Sequence, residues 1–167
     1  MRERRPRPRL GSHEGVILFS VGAFKFAIAA VAVKEIRNLE GLREFALGGI
    51  SVRVDKLRYT LERGGATYFV VDAARHFSLP VASPGRILIL SNSSTAVLVD
   101  STDRMTDISV LHALPRAFTR DERTWYRGLA VVNGDVVPVV NPNAFLDKTE
   151  QEIVRQGLER LQGVATV

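Results

Sequence analysis

The feature that most restricts the fold of this sequence is an internal repeat of about 70 residues. The segment GGATYFVVDAARHFSL at 64–79 returns in weaker form as NGDVVPVVNPNAFLD at 133–147. Three matches lie 69 positions apart: Gly65 with Gly134, Val70–Val71 with Val139–Val140, and Asp72 with Asn141. A repeat of this size encodes one supersecondary unit twice, and such units need each other to bury a continuous core.

The repeat continues upstream into two predicted β-hairpins. Residues 16–33 are rich in β-branched and aromatic side chains, and Gly22–Ala23 breaks them into two strands. Residues 87–100 form a second hairpin of similar length around a polar turn at 92–95. Two further matches lie 71 positions apart in these hairpins: Ser20 with Ser91, and Phe26 with Val97.

Each copy therefore contains a hairpin, a connecting segment, a glycine turn and a Val-Val strand that ends in Asp or Asn. Each copy has the length of a five-stranded unit, and neither buries much apolar surface alone. We therefore expect a mainly β protein, with two five-stranded barrels packed side by side and a groove at their junction. The copies are followed by KTEQEIVRQGLERLQG, which has the pattern of an amphipathic C-terminal helix.

Several shorter elements follow from local patterns. The segment 33–45 is either a short helix or a strand followed by an irregular loop, and its pattern does not decide between them. Alternation of Ile50, Val52 and Val54 with polar residues predicts a half-buried strand. The strand TYFVVD ends at Asp72, which we expect to cap a short helical turn. In the tail, Ile153, Gly157, Leu158 and Leu161 share one face, which packs either on the protein's own barrel or on a partner.

The positive charge of the chain lies in its first residues. The net charge is +5, but residues 1–10 contain five arginines and one glutamate, which leaves about +1 for the rest. We expect a flexible basic arm at 1–14, the paired barrels at 15–147, and the helix and tail at 148–167. An alternative function is a small β-barrel nucleic-acid-binding protein that uses the arginine arm, although the near-neutral remainder counts against it.

The chain contains no cysteine, which excludes disulfides and thiol catalysis and is consistent with a reducing compartment such as the cytoplasm. An exported protein is a further alternative, since Arg4–Arg5 precede an apolar stretch and the mature chain would then start near Val33. Lys25 interrupts that stretch, and the longest apolar run, 26–33, is far shorter than the roughly 20 residues that span a bilayer. We therefore expect no membrane insertion.

The sequence has no recognisable catalytic motif. It lacks phosphate-binding loops and nucleophile elbows, and His13, His76 and His112 lack metal-ligand spacing. His76 is expected to end a short helix, and His112 to lie in a loop or helix. Asp100, Asp103 and Asp107 are interpreted as a solvated connector, and Trp125–Tyr126 as the entry into a buried strand. We expect a protein that is not an enzyme and has no metal or cofactor.

The ordered motifs together resemble the CheW-like family of chemotaxis coupling proteins. They are VKEI after the first hairpin, a glycine turn seven residues before the end of VVD, VLVD in the second hairpin, and GLAVVNGDVVPVVN near the end. The resemblance runs from about Val16 to Leu146. It implies two five-stranded SH3-like barrels and a non-enzymatic adaptor that bridges chemoreceptors and a histidine kinase.

The resemblance also implies contact residues for two partners. The kinase regulatory domain is expected to contact Val33, Glu35 and Ile36. The chemoreceptor cytoplasmic tip is expected near the barrel junction, at Arg63, Gly64 and Gly65. The turn that the family has at this place contains an arginine, and that position is occupied by Gly64 here. Arg63 therefore stands one residue early. A bulge at the glycine pair would bring its side chain to the face of the strand that carries the arginine in the family.

Overall fold

The computed structural model describes residues 9–44, 55–80 and 82–164. Within these ranges the chain forms eleven strands, which are β1 (Arg9–Val21), β2 (Phe24–Ala29), β3 (Val33–Arg37), β4 (Arg43–Glu44), β5 (Leu57–Arg63), β6 (Ala66–Asp72), β7 (Arg86–Leu90), β8 (Thr95–Val99), β9 (Ser101–Val110), β10 (Tyr126–Val132) and β11 (Asp135–Val140). The α-helices are α1 (Ala73–His76), α2 (Arg120–Trp125) and α3 (Lys148–Val164). Short 3-10 turns lie at Ala30–Ala32 and Pro142–Ala144.

The strands form two sheets, and each sheet combines parts of both sequence copies. One sheet has the order β10-β11-β2-β1-β9, and we call it barrel A. The other has the order β3-β7-β8-β6-β5-β4, and we call it barrel B. The predicted mainly β fold with two packed barrels and a C-terminal helix is confirmed. However, one sequence copy does not correspond to one barrel. The hairpin of each copy lies in the same sheet as the later strands of the other copy.

The exchange of hairpins follows the repeat in register. In barrel B, β6 pairs in parallel with β8 so that Val70 faces Ala96. In barrel A, β11 pairs in parallel with β2 so that Val139 faces Ala27. Both residues of the first pair lie 69 positions from their counterparts in the second, so the two barrels are built alike.

This register corrects one of the predicted matches. Because Ala27 is equivalent to Ala96, the second strands of the hairpins match at 69 positions, and Phe26 is equivalent to Thr95, not Val97. In the first strands of the two hairpins, β1 and β7, equivalent residues lie 71 positions apart, as predicted for Ser20 and Ser91. The second hairpin is therefore shorter by two residues at its tip.

Three hydrophobic clusters hold the fold together. Barrel A encloses Val16, Ala27, Ile108, Ala130, Val132, Val137 and Val139. Barrel B encloses Leu61, Tyr68, Val70, Ile87, Ile89, Ala96 and Leu98. A larger central core lies between them and includes Phe19, Phe26, Ile28, Val71, Phe77, Leu88, Val97, Val140, Phe145 and Leu146. Since both barrels contribute to the central core, separating them would expose it, and the two halves form one folding unit.

Asp72 caps α1 as predicted, because its Oδ1 accepts a hydrogen bond from the backbone N–H of Ala74 at 3.1 Å. Its repeat partner Asn141 does the same for Asn143, also at 3.1 Å. The Asp or Asn at the end of each Val-Val strand therefore starts the short helix that leads into the central core.

The remaining elements refine the sequence predictions. Residues 33–37 form a strand followed by a loop, which settles the alternatives left open for 33–45 as far as Glu44. The interpretation of Asp103 and Asp107 as part of a connector is wrong, because both lie on the ten-residue strand β9, where their side chains are exposed. β1 begins at Arg9, inside the segment assigned to the arm, and residues 1–8 and the predicted strand at 50–54 lie outside the described residues.

The hairpin that an export signal would remove is part of barrel A. β1 and β2 are its inner strands, and the buried side chains of Val16 and Ala27 belong to its core. Cleavage near Val33 would therefore dismantle this barrel. No helix among the described residues is long and apolar enough to cross a membrane.

Truncation in the central core tests whether the barrels fold as one unit. Ile28 is fully buried there, so we expect Ile28→Ala to lower the free energy of unfolding by about 2–5 kcal/mol. Urea unfolding should remain a single transition when followed by circular dichroism and by Trp125 fluorescence. The control Val131→Ala, at a position 57% exposed, should change stability by less than about 0.5 kcal/mol. Two separate transitions would contradict the shared core.

Candidate functional site

The predicted kinase-binding residues lie on β3, at one end of the strand order of barrel B. On one side β3 pairs with β7, with a register shift between Val33 and Glu35. Val33 packs against the central core, whereas Ile36 is 41% exposed. Leu39, in the loop that follows, is also exposed. This part of the barrel thus presents apolar side chains next to a strand at the end of a sheet.

The structure brings the two predicted contact sites together through an ion pair. Arg63 at the end of β5 donates from Nε and Nη2 to the two carboxylate oxygens of Glu35, at 3.3 and 3.1 Å. Arg37 Nε lies 3.9 Å from the same carboxylate. Lys34 Nζ donates to the hydroxyl of Tyr68 at 3.4 Å. The bidentate geometry orients both side chains and connects β3 to β5 across the barrel.

Gly64 and Gly65 form the two-residue turn between β5 and β6. Their φ angles are 59° and 79°, which are the positive values of a type I′ hairpin turn. Arg63 pairs directly with Ala66 across the turn, and the register shift in this hairpin lies further away, between Leu57 and Tyr59. The bulge that would bring Arg63 to the family's face of the strand is therefore not formed, and Arg63 points to Glu35.

A wide groove lies between barrel A and the segments around α1 and α2. This groove A has a volume of about 810 Å³, and its lining includes Phe24, Phe26, Phe77, Trp125, Tyr126 and Val136. Phe26 stacks on Phe77 with ring centroids 4.6 Å apart, and Phe77 contacts Trp125 edge-on at 5.8 Å. Trp125 ends α2 and Tyr126 begins β10, so the predicted entry into a strand is confirmed. Nothing in the sequence pattern indicates that these two residues also line a groove.

The outer ends of the two barrels differ in polarity. On barrel A, Val131 pairs with Val136, and both side chains are more than half exposed. The equivalent pair on barrel B, 69 positions earlier, is Glu62 with Thr67. The two copies of the repeat therefore differ at surface positions, whereas their core positions have remained apolar.

Beside groove A lies a buried histidine. His76 ends α1, as predicted, and its ring contacts those of Phe145 and Trp125, with centroids 4.9 and 5.4 Å away. Lys56 Nζ lies 3.1 Å from His76 Nδ1 and 2.9 Å from Glu150 Oε1 on α3. Burial, and after it the positive charge of Lys56, lowers the pKa of His76 from 6.5 to about 3. The ring is therefore neutral near pH 7 and accepts a hydrogen bond from the Lys56 ammonium.

The other titratable residues considered from the sequence do not converge. His112 is exposed and lies in an isolated bridge with Leu129 between β9 and β10. The carboxylate of Asp100 accepts hydrogen bonds from the N–H groups of Gly22 and Ser83. Among the described residues no three histidine or carboxylate side chains are grouped closely enough to hold a metal ion.

Two similar barrels around a shared core define a class of small two-barrel β domains. A family model, described as the CheW-like domain, matches residues 15–150. The chain therefore belongs to the CheW-like family, whose members are non-enzymatic scaffold proteins in chemotaxis.

A solved structure agrees with this assignment. The chain is similar to the crystal structure of the scaffolding protein TtCheW from Thermoanaerobacter tengcongensis, with a TM-score of 0.65 and 14% sequence identity. The similarity covers 78% of this chain and 90% of TtCheW. At this identity the likeness concerns the fold. A comparison with curated proteins gave no match.

The buried histidine predicts how stability depends on pH. Because the pKa of His76 in the folded protein lies below its unfolded value of 6.5, the unfolded chain binds the extra proton first. The contribution of His76 to the free energy of unfolding is therefore complete above pH 6.5. As the pH falls toward 3 this contribution is lost, by up to about 1.4 kcal/mol per pH unit.

The measurement is urea unfolding at several pH values. The difference in unfolding free energy between the wild-type chain and His76→Gln should shrink steadily between pH 6.5 and pH 4. The exposed control His112→Gln should follow the wild-type curve. A pH-independent difference for His76→Gln would show that this ring does not titrate on unfolding.

Proposed function

We propose that this protein is a cytoplasmic adaptor that couples a chemoreceptor to a histidine kinase of the chemotaxis type. Membership of the CheW-like family supports a scaffold role, and the proposal adds the two partners. The observation that carries it is the Glu35–Arg63 ion pair, which connects the segment expected to contact the kinase with the turn expected to contact the receptor.

The kinase contact is proposed at Val33, Glu35 and Ile36. Strands at the end of a sheet are natural docking surfaces, because backbone groups and alternate side chains are both available to a partner. Ile36 offers exposed apolar area, while Val33 anchors the strand in the central core. Glu35 is held by Arg63, so its carboxylate is fixed before a partner arrives, which lowers the entropy lost on binding.

The receptor contact is proposed at Arg63, Gly64 and Gly65. The glycine turn projects between β5 and β6, and a Cβ added to either glycine would meet no atom within 4 Å. The turn therefore leaves space for another chain to approach the backbone closely. Arg63 has a guanidinium edge that is not used by Glu35, since Nη1 is absent from the bidentate contact.

The kinase contact is tested by titrating the chain with the regulatory domain of a histidine kinase in a calorimeter. We expect Ile36→Ser to weaken binding by about tenfold or more, because burying a side chain of this size is worth about 1.5–3 kcal/mol. The control is Val110→Ser on β9 of barrel A, whose exposure of 44% is close to that of Ile36. Equal affinities for the wild-type chain and both variants would remove β3 from the kinase contact.

The receptor contact is tested by co-sedimentation with a chemoreceptor cytoplasmic fragment. We expect Arg63→Glu to reduce binding by about tenfold, since a charge-assisted contact is worth about 1.5–3 kcal/mol. The variant Glu35→Gln removes the ion-pair partner of Arg63 and keeps the arginine itself. It should leave receptor binding unchanged if Arg63 contacts the receptor directly.

Loss of receptor binding in Glu35→Gln as well would mean that Arg63 acts only through its ion pair with Glu35. The matched control is Arg58→Glu on the same strand, which should leave receptor binding unchanged. Unchanged receptor binding by Arg63→Glu itself would exclude this turn from the receptor contact.

A further inference from the structure

Groove A presents aromatic side chains that stay partly open to solvent. Phe24 is 49% exposed, and Phe118, Trp125 and Tyr126 are half-buried. The stacked phenylalanine pair described above forms the buried floor beneath them. Aromatic faces bind proline rings by packing and arginine guanidinium groups by stacking. The aromatic lining therefore suits a ligand that combines proline with arginine.

The charges of the lining favour a cationic ligand. The lining has two carboxylates, on Glu122 and Asp135, and one ammonium group, on the exposed Lys25. A guanidinium group is attracted both by a carboxylate and by the negative face of an aromatic ring. Groove A offers both to the same cation.

The equivalent positions of barrel B have a different chemistry. Ser93 stands 69 positions after Phe24, and Lys56 stands 69 positions before Trp125. The aromatic lining is therefore a property of groove A itself and not of the repeated fold.

The chain contains a segment of matching composition. Residues 1–8, MRERRPRP, contain four arginines, two prolines and one glutamate. Alternation of arginine with proline favours the extended polyproline II conformation, in which eight residues span about 25 Å. The segment joins the described structure at Arg9, where β1 begins.

The start of β1 lies close enough to groove A for this segment to reach it. Arg9 pairs with Val110 of β9. The isolated bridge that joins β9 to β10 is antiparallel, and its register places Val110 level with Val131. Val131 in turn pairs with Val136, which lines groove A. Arg9 is thus three strand spacings from Val136, or roughly 15 Å, which is less than the span of residues 1–8.

The surface along this route is apolar. Val110, Val131 and Val136 are 44, 57 and 65% exposed. The two prolines of the segment lie nearest to Arg9 and can pack on these valines. The arginines at positions 2 and 4 then extend to the aromatic and acidic lining.

From these observations we propose that residues 1–8 bind in groove A of their own chain. Arg2 and Arg4 contact the aromatic rings and carboxylates of the lining, and the prolines cover the exposed valines. The ligand class of groove A is thus an extended segment rich in arginine and proline. A partner that uses groove A has to displace this segment first. The proposal does not depend on the identity of the kinase or the receptor.

The contact is tested with a nitroxide spin label on the full chain. Glu3→Cys introduces a single thiol, since the chain contains no cysteine, and keeps every arginine of the segment. We expect the label to broaden the amide NMR signals of Phe24, Tyr126 and Val136. The signal of Ser93, at the equivalent place in barrel B, should stay sharp. Broadening confined to the start of β1 and its direct neighbours would overturn the proposal.

A charge reversal tests the role of the arginines in the spin-labelled chain. Arg2→Glu with Arg4→Glu should lower the equilibrium constant of the contact about tenfold or more, because charge-assisted contacts are lost. The matched control, Arg43→Glu with Arg86→Glu, makes the same charge change at exposed positions of barrel B and should leave the broadening unchanged. Equal effects of the two variants would overturn the proposal.

The aromatic lining is tested by Phe24→Ser, which introduces the residue that barrel B has at the equivalent position. This variant should also reduce the broadening, whereas the control Met105→Ser, at a position 65% exposed on β9, should not. Unchanged broadening in Phe24→Ser would exclude groove A as the site. A dilution of about tenfold should leave the wild-type pattern unchanged, because a contact within one chain does not depend on concentration. A pattern lost on dilution would show binding between copies and would overturn the proposal.

Discussion

The structure depends on one constraint, the burial of a central core. Neither barrel could bury this core without the other. Ile28 comes from the first hairpin and Val97 from the second, and these equivalent residues meet the two Val-Val strands at Val71 and Val140. Because each hairpin is paired to the strands of the other copy, the hydrogen bonds of the sheets and the packing of the core both hold the copies together. The duplication therefore produced one domain instead of two.

The shared core leaves the outer surface free to diverge. Equivalent positions carry valines on barrel A at 131 and 136, and Glu62 with Thr67 on barrel B. Groove A is lined by phenylalanines, whereas the cleft at the equivalent place between barrel B and α3 is lined by hydroxyl side chains at 93–95. A protein built from two similar halves thus offers chemically different surfaces, which suits a scaffold that holds unlike partners.

Much of the fold could be predicted from the sequence, because period-two alternation and glycine turns are local. The hairpins, the Asp72 cap and the C-terminal helix all follow from such patterns. The exchange of hairpins could not be predicted, since it rests on parallel pairing between β6 and β8, which leaves no mark in either strand. The match of Phe26 with Val97 was wrong by two residues. A shift of two residues keeps each side chain on the same face of the strand, so the alternation pattern does not reveal it.

The side-chain contacts of the candidate site could not be predicted from the sequence, for a related reason. Glu35 and Arg63 were both named from the family resemblance, but nothing in their spacing of 28 residues indicates that they bind each other. Charged residues on the outer face of a strand have no periodic requirement. The same holds for α3, where the predicted apolar face began at Ile153, while Val154 is the side chain that enters the core.

The exchange of hairpins also determines the order in which the molecule can be assembled during translation. Every strand of barrel B lies between Val33 and Val99, so this barrel has all its strands once that stretch leaves the ribosome. Barrel A needs β1 and β2 from the start of the chain and β11, which ends at Val140. At about 5–20 residues per second the first hairpin waits several seconds with its apolar face uncovered. We expect barrel B to form first and to shelter that hairpin until the last strands arrive.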